Sequence, residues 1–191
     1  MPIIDQSLMW TSMEERLART TNPRHRLMLE TVIAHSKGEA ASDLGAVLQT
    51  LAPDPQYHFW IDGHDAGPKG MAAVVAFYKR LVHSGAAYLE SPKDRIVVDD
   101  DNVVTEMRVR QIVSGEVAKA NGYRVADGDA FYLIEFRAVI FWPFTTDGKL
   151  GGEDTYISRD LNAIRRLDDS DVPESLHELV ATNSSDPYVF T

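Results

Sequence analysis

The chain has 191 residues, 44% of them hydrophobic and 25% charged, which is ordinary for one globular domain. A formal net charge of −10 disfavours binding to nucleic acid, and the absence of cysteine excludes disulfides and thiolate metal sites. With no run of about 18 apolar residues and no basic-then-apolar leader, we expect neither a membrane span nor a secretory signal. A chain without cysteine fits a reducing compartment, so a cytoplasmic location is expected.

Two helices are predicted before residue 40. The sequence Ser-x-x-Glu at residues 12–15 is a capping box, which predicts a short helix with its N-cap at that serine. Asn22 and Pro23 have the residue types of an N-cap and a first helical position. Apolar residues and His35 then recur at helical spacing, and Gly38 is predicted to end this second helix.

A third helix, a short strand and a fourth helix are predicted next. Asp43 has the residue type of an N-cap, and Pro53 is expected to terminate the helix that it opens. Residues 57–61 have the aromatic and β-branched composition that strands prefer. After a glycine-rich loop, apolar positions at helical spacing over residues 71–82 predict an amphipathic helix that stops near Gly85.

The second half of the chain changes to the two-residue period of β-strands. Strands are predicted at residues 95–98, 102–113, 130–144 and 150–158. Residues 114–129 are rich in Gly, Asp, Asn and Ala and are interpreted as an insertion, whose role the sequence leaves open. Residues 173–180 predict a terminal helix over the core.

Helices followed by an antiparallel meander indicate an α+β fold, with helices packed in the concave face of a curved, mainly antiparallel sheet. Such a sheet forms a cone, and its interior is a natural pocket for a small, largely apolar molecule. We expect a single domain over residues 1–191, with a core near residues 23–168 and terminal extensions at residues 1–22 and 169–191.

Four segments in this order resemble the NTF2-like superfamily and, within it, the SnoaL-like proteins. They are residues 38–48, 51–57, 70–78 and the closing hairpin at 144–156. The resemblance spans residues 26–167 and implies the cone fold. Because the superfamily includes polyketide cyclases, ketosteroid isomerases, limonene-epoxide hydrolases and scytalone dehydratases, the resemblance implies no single activity.

The sequence differs from some members of the superfamily at the residues that their activities need. The Arg-x-Asp strand pattern of the epoxide hydrolases is absent, because Glu135-Phe136-Arg137 reverses it. The paired histidines of a scytalone dehydratase are not found on matching strands. An isomerase-like arrangement would place a carboxylate base just after the first strand, and Asp62 lies near that position.

Alternation along the first strand places His58, Trp60 and Asp62 on one face. An imidazole titrates near neutral pH and a neighbouring carboxylate can fix its tautomer, so His58 and Asp62 are candidate catalytic residues. Trp60 is a candidate substrate contact beside them. The alternative interpretation is that His58 satisfies a backbone carbonyl and that Asp62 caps the turn into Gly63.

Glu153 is the third catalytic candidate. The resemblance implies that Glu153, Thr155 and Ile157 point into the cone, whereas Asp154 and Tyr156 point outward. A carboxylate inside an apolar cone should have a raised pKa and is able to donate or accept a proton near neutral pH. The alternative is a salt bridge to an arginine of a neighbouring strand.

Charged residues alternate along two of the long strands. Glu106, Arg108 and Arg110 share one face, and Glu135 and Arg137 alternate in the same way and are able to pair across to it. A solvated face or a dimer interface is the favoured interpretation of these charges. Glu106 is nevertheless kept as a candidate substrate contact.

Tyr78, Trp142 and Tyr156 are predicted to form the core or the pocket wall and are the remaining candidate substrate contacts. His64, next to Asp65, has no second histidine at ligand spacing, so no metal site is predicted. Neither Gly-x-Gly-x-x-Gly nor a phosphate loop is present, so no cofactor is expected.

Two functions are consistent with these residues, and whether the protein is an enzyme at all stays open. The first is cofactor-free acid–base catalysis of the isomerase, cyclase or dehydratase type on a small hydrophobic ring compound. In it, His58 and Asp62 move the proton and Glu153 acts opposite them as acid or oxyanion partner. The alternative is a non-catalytic module that binds a small molecule or another protein. The resemblance also implies a homodimer through the outer sheet face.

Overall fold

A computed structural model describes residues 2–183 of the chain. The α-helices of this part are Thr11–Ala18 (α1), Pro23–Ala40 (α2), Leu44–Thr50 (α3), Gly70–His83 (α4), Gly115–Ala120 (α5) and Glu174–Asn183 (α6), with 3₁₀ turns at Gln6–Met9 and Asp169–Asp171. The strands are His58–Ile61 (β1), His64–Asp65 (β2), Leu89–Glu90 (β3), Lys93–Val98 (β4), Asn102–Ser114 (β5), Phe131–Pro143 (β6) and Asp154–Arg166 (β7).

Side-chain caps fix the start of two helices where the sequence predicted them. Asn22 accepts hydrogen bonds from two backbone N–H groups of the first turn of α2, at 2.8 and 3.3 Å. Asp43 accepts one from the backbone N–H of Ala46 in α3, at 3.0 Å. Each such cap contributes about 1 kcal/mol to stability. The predicted end of α4 is also confirmed, since the helix stops two residues before Gly85.

Two predicted helix boundaries are wrong. The helix α1 begins one residue before Ser12, and its N-cap residue Trp10 makes no side-chain cap bond, so the predicted capping box does not form. The helix α2 continues two residues beyond Gly38. This glycine instead permits close packing of two helices, because a Cβ atom on it would lie 3.0 Å from Cγ2 of Val47 in α3.

The strands form one curved sheet in the order β2-β1-β7-β6-β5-β3, and β4 also pairs with β5. The pair β1–β7 is parallel and the other pairs are antiparallel. The strands β5 and β6 pair along their whole length, from Asn102 opposite Pro143 to Ser114 opposite Phe131. The predicted α+β architecture with a curved, mainly antiparallel sheet is therefore confirmed.

The last strand lies further along the chain than residues 150–158. Before Asp154, the backbone joins the sheet through isolated bridges of Leu150 and through single hydrogen bonds, such as that from the N–H of His58 to the carbonyl oxygen of Glu153 at 2.7 Å. The strand then continues to Arg166, past an irregularity in its pairing with β6. Two consecutive glycines at residues 151–152 separate the bridge from the strand and explain the late start.

The helices α2 and α4 pack against the concave face of the sheet. The largest core cluster joins Met28 and Val32 of α2 to Val74 of α4 and Trp142 of β6. Residues 2–22 contribute to the interior as well, because Met9 and two other side chains of this segment are buried. Part of the predicted N-terminal extension is thus packed against the core.

The insertion at residues 114–129 contains the short helix α5. Val117, Ala118 and Tyr123 pack against Tyr132 and Ile134 of β6, so the insertion covers one end of the sheet. The predicted terminal helix is present as α6, and residues 184–191 of the predicted C-terminal extension lie outside the described part of the chain. Among residues 2–183, no helix has the length and apolar character of a membrane span.

Gly152 immediately precedes Glu153 and has a backbone φ of 152°. A Cβ atom on it would lie 1.8 Å from the carbonyl oxygen of Gln56. We expect Gly152→Ala to destabilise the fold by about 3 kcal/mol, because both the clash and the unfavourable φ must be accommodated. Urea unfolding measures the change.

The neighbouring residue Gly151 is a matched control, because a Cβ atom there meets nothing closer than 3.4 Å. Gly151→Ala is expected to change the free energy of unfolding by less than about 1 kcal/mol. Equal losses in the two variants would contradict the close approach of Gly152 to residue 56.

Candidate functional site

A cavity of about 130 Å³ lies between the helices and the concave face of the sheet. Its wall is mostly apolar, and Phe59, Phe77, Met107 and Trp142 are among the large side chains that line it. The polar residues that line it are Ser36, Glu39, Lys93, Gln111, Glu153 and Thr155. Since a water molecule needs about 10–15 Å³ on this scale, the cavity has room for a small organic molecule.

His35 of α2 is fully buried beside this cavity. Its Nδ1 lies 2.7 Å from the hydroxyl oxygen of Thr50, and that hydroxyl donates to the carbonyl oxygen of Val47. The threonine oxygen therefore accepts a hydrogen bond from Nδ1–H of the histidine. This bond fixes the ring so that Nε2 faces the hydroxyl oxygen of Tyr78, at 2.8 Å.

Two carboxylates lie next to Nε2 of His35. Oε1 of Glu153 is 3.3 Å away, and Oε1 of Glu39, one helical turn further along α2, is 3.6 Å away. Burial favours the neutral imidazole, but hydrogen bonding to Glu153 and Glu39 and their negative charges outweigh it and raise the pKa of His35 to about 9. At neutral pH the histidine is therefore protonated and balances part of the carboxylate charge.

Two tyrosine hydroxyls complete the cluster. The hydroxyl of Tyr78 donates to Oε1 of Glu153 at 3.0 Å and lies 2.9 Å from the hydroxyl of Tyr57. Burial and the charge of Glu153 raise the pKa of both tyrosines well above the ordinary value. Both remain neutral hydrogen-bond donors near neutral pH, and the chain of hydroxyls is directed toward Glu153.

Lys93 of β4 lines the same cavity and is partly exposed. Its Nζ donates to Oγ of Ser91 at 2.8 Å and lies 3.4 Å from Sδ of Met107. Burial lowers the pKa of Lys93 to about 7, against the opposing effect of the charges of Glu39 and Glu153. The cavity therefore contains an amine that exchanges its proton near neutral pH.

Two buried polar atoms of the cavity residues have no hydrogen-bond partner in the described part of the chain. They are Oε1 of Gln111, on β5, and Oγ1 of Thr155, on β7. An unpaired buried polar atom costs about 1–3 kcal/mol. The few polar side chains in a mostly apolar wall suit a ligand that is apolar with one or two polar groups.

The atoms of His35, Glu39 and Glu153 also lie within 4.8 Å of one another, a spacing that metal ligands share. Nε2 of the histidine faces the hydroxyl of Tyr78 and lies within 3.6 Å of a carboxylate oxygen of both glutamates. We therefore interpret these three residues as a proton-sharing cluster.

The structure brings some of the sequence-predicted site residues to the cavity. Glu153 and Trp142 line it, and Thr155 and Ile157 line it too, as the inward alternation of the last strand implied. Tyr78 lies behind the wall and reaches the cavity through its hydrogen bond to Glu153.

His58 and Asp62 lie on the outer face of the sheet. The ring of His58 pairs with Asp65 at 2.7 Å, and Asp62 pairs with Arg159 at 3.3 Å. Partial burial opposes the charge of Asp65, but hydrogen bonds from Lys69 and other donors hold its pKa well below the usual range. A catalytic role of His58 and Asp62 stays a prediction, and the structure does not bring either of them to Glu153.

Three predicted substrate contacts also lie on this outer face. Trp60, Tyr156 and Glu106 line a shallow groove there together with Asp62. The rings of Trp60 and Tyr156 stack with centroids 6.3 Å apart. Glu106 pairs with Arg137 at 2.7 Å, as the alternation of charges along the two strands suggested.

The charged residues His35, Glu39 and Lys93 of the site were not predicted from the sequence. Helical spacing predicts only that His35 belongs to the core stripe of α2. Glu39 lies one turn beyond it, and this i, i+4 pair of titratable residues was a signal that could have been used. Lys93 lies two residues before the predicted start of its strand, at residue 95, and carried no signal.

Residues 32–150 match the model of the SnoaL-like domain. The match covers more than half of the chain, so the protein belongs to the SnoaL-like domain family. No curated protein sequence matches the chain.

Solved structures with little sequence identity share the fold. A candidate SnoaL-like polyketide cyclase from Shewanella denitrificans OS-217 has a TM-score of 0.58 at 14% identity, over 72% of this chain and 93% of that one. A second such candidate, from Jannaschia sp. CCS1, has a TM-score of 0.54 at 16% identity, over 73% and 91%. An NTF2-like protein from Anabaena variabilis ATCC 29413 has a TM-score of 0.52 at 16% identity, over 74% and 95%. The chain thus has the NTF2-like fold.

His35, whose pKa is raised, and Lys93, whose pKa is lowered, have opposite effects on the free energy of unfolding as pH rises. His35 has a higher pKa in the folded than in the unfolded chain, so its stabilisation is complete below about pH 6.5 and is lost toward pH 9. Lys93 has a lower pKa when folded, so its destabilisation is relieved as pH rises above about 7. In the native protein these contributions offset each other between pH 7 and 9.

We expect Lys93→Met to expose the contribution of His35. The free energy of unfolding of this variant should fall by roughly 3 kcal/mol between pH 6.5 and 9, whereas that of the native protein should change less. Urea unfolding at several pH values measures both. Parallel pH profiles of the two proteins would show that the amine of Lys93 is not buried as described.

Proposed function

We propose that the protein catalyses proton transfer on a small, largely apolar ring compound with a carbonyl group, bound in the cavity. Its own side chains act as the acid and the base. One observation carries the proposal: Glu153 lines an apolar cavity, held by a neutral tyrosine and next to a protonated histidine, with an amine of pKa about 7 in the same wall.

Glu153 has the position of the base. Its Oε1 accepts the hydrogen bond of Tyr78 and lies 3.3 Å from Nε2 of His35. A carboxylate held at one oxygen has a fixed orientation and can take a proton with the other. His35 is fully buried and does not line the cavity, so it acts as a positioning residue that balances the charge of Glu153.

Removal of a proton next to a carbonyl group places negative charge on the carbonyl oxygen, and a donor must stabilise it. Lys93 is a donor of suitable acidity, because an amine with a pKa of about 7 gives up its proton readily near neutral pH. A positioned base and acid of this kind accelerate proton transfer by about 10²–10⁴-fold.

The ligand class follows from the wall and from the family. Large aromatic and aliphatic side chains line most of the cavity, and Gln111 and Thr155 each present an unpaired polar atom. Cyclases of polyketides are named among the proteins of similar structure, which supports a ring compound. A non-catalytic module that only binds such a compound is the alternative.

Hydrogen–deuterium exchange tests the proposal without knowledge of the natural substrate. The protein is incubated in D₂O with cyclohexanone, 2-tetralone and 2-decalone, and ¹H NMR follows the signals of the carbon next to the carbonyl. We expect exchange above the buffer rate for at least one ketone, and Glu153→Gln should slow it by about 100-fold or more.

Glu30→Gln is the matched control, because Glu30 is an exposed glutamate of α2 paired only with Arg26. It should leave the exchange rate unchanged. Binding of the ketones without exchange would identify a binding module instead. The same assay on His58→Ala and Asp62→Asn decides between the two faces, since a loss of exchange in these variants would assign the chemistry to the outer face.

We also infer that two copies of the chain pair through the outer face of the sheet. Trp60, Tyr156 and Phe141, on three neighbouring strands, are 38%, 49% and 40% exposed, and their rings contact one another. Contiguous exposed aromatic side chains of this kind are typical of a protein interface. The family resemblance supports the same pairing.

Sedimentation velocity at micromolar concentration tests the dimer. The native protein should sediment as a dimer, and Trp60→Glu with Tyr156→Glu should sediment as a monomer, because two charges would be buried in the interface. Leu27→Gln is the control, since Leu27 is 43% exposed on α2, away from the outer sheet face. A monomeric native protein would contradict the inference.

A further inference from the structure

The direction of the Lys93 side chain depends on an irregularity in β4. Ile96 and Val98 lie opposite Thr105 and Val103, which are buried, so these residues of β4 face inward. Regular alternation back along the strand would turn Lys93 outward. The register shifts between residues 93 and 95, however, so that Lys93 lies opposite the buried Met107.

The residue that the irregularity displaces is Asp94. It is exposed, and its carboxylate pairs with Arg137 on the outer face at 2.9 Å. A β-bulge re-aims side chains in this way, and bulges are frequent next to active sites. The extra residue thus directs an amine into the cavity and a carboxylate away from it.

The amine of Lys93 has no ion-pair partner in the described part of the chain. Its neighbours are the hydroxyl of Ser91 and the sulfur of Met107. Three other lysines, at positions 37, 69 and 119, each pair with a carboxylate within 3.0 Å. The charged groups that line the same cavity are the carboxylates of Glu39 and Glu153.

Burial lowers the pKa of Lys93 to about 7, so about half of it is the neutral amine at neutral pH. For an exposed lysine with a pKa near 10.4, the neutral fraction at pH 7 is roughly a thousandfold smaller. Among the lysines of residues 2–183, Lys93 therefore combines a position in the cavity wall with an available lone pair.

We propose that Lys93 attacks the carbonyl carbon of the cavity ligand and forms an imine with it. The proposal rests on the proposed function only in taking the ligand to be a carbonyl compound. A lysine desolvated in an apolar pocket is the form in which the amine acts as a nucleophile.

The atoms balance without an oxidant or a reductant. Nζ of Lys93 forms a bond to the carbonyl carbon, the C–O double bond opens, and one proton moves from nitrogen to oxygen to give a carbinolamine. The hydroxyl then leaves as water after it accepts a proton from the solvent, and a protonated imine remains. The adjacent C–H becomes more acidic, so that Glu153 removes its proton more easily, and water later hydrolyses the imine to restore Lys93.

Reductive trapping tests this step. The protein is incubated at pH 7 with benzaldehyde, whose single ring suits a cavity of about 130 Å³, and with sodium cyanoborohydride, which reduces an imine to a stable secondary amine. Intact-mass measurement counts the adducts, and peptide mapping locates them. We expect the dominant lysine adduct on the peptide that contains Lys93, and its loss in Lys93→Arg. An adduct on the N-terminal peptide is counted separately, because α-amino groups are also weakly basic.

Lys79→Arg is the matched control, because Lys79 is an exposed lysine of α4, and this variant should keep the adduct. The proposal would be overturned if the adducts of the native protein were spread over the exposed lysines, with none enriched at Lys93. This result does not depend on the folding of any variant. If Lys93→Arg still exchanges ketone protons at the native rate, the imine step is overturned while the proton-transfer function stands.

Discussion

His35 lies where no water reaches it, and a protonated imidazole in such a place costs several kcal/mol unless carboxylates balance its charge. Five side chains form a cluster with the imidazole: the carboxylates of Glu39, on the same helix, and Glu153, just before β7, and the hydroxyls of Thr50 at the end of α3, Tyr78 on α4 and Tyr57 just before β1. The helices and the sheet are therefore held in register by one polar cluster. Because that cluster forms one side of the cavity, the requirement that stabilises the fold also orients the carboxylate that a ligand would meet.

The sequence predicted the parts of the fold that depend on local chemistry and on periodicity. Asn22 and Asp43 are caps because their side chains need only the next turn of helix. The inward direction of Glu153 followed from alternation in the family's last strand. The predictions that failed are those that depend on contacts between residues distant in the sequence. Gly38 was interpreted as a helix end, whereas the structure uses its missing side chain to bring α3 close to α2.

The candidate site likewise separates what local pattern predicts from what tertiary contacts decide. A period of two tells which residues share a face, and His58 and Trp60 do share one, with stacked rings. It does not tell which face is concave, because that depends on how the sheet curves over the helices. Lys93 shows a second limit: a single extra residue in a strand reverses the direction of every side chain before it. The position of such a bulge depends on pairing with β5 and on the outward ion pair of Asp94, neither of which is a local signal.

Two pieces of the cavity wall lie outside the segment that defines the family. The match ends at residue 150, yet Glu153 and Thr155 follow it, and Met9 lines the cavity from well before residue 32. A chain trimmed to the matched segment would lose the strand between β1 and β6 and would open the cavity to solvent at two places. A comparison restricted to the matched segment would leave out Glu153, the proposed base. The sequences that flank it are therefore where differences in substrate among relatives should be sought.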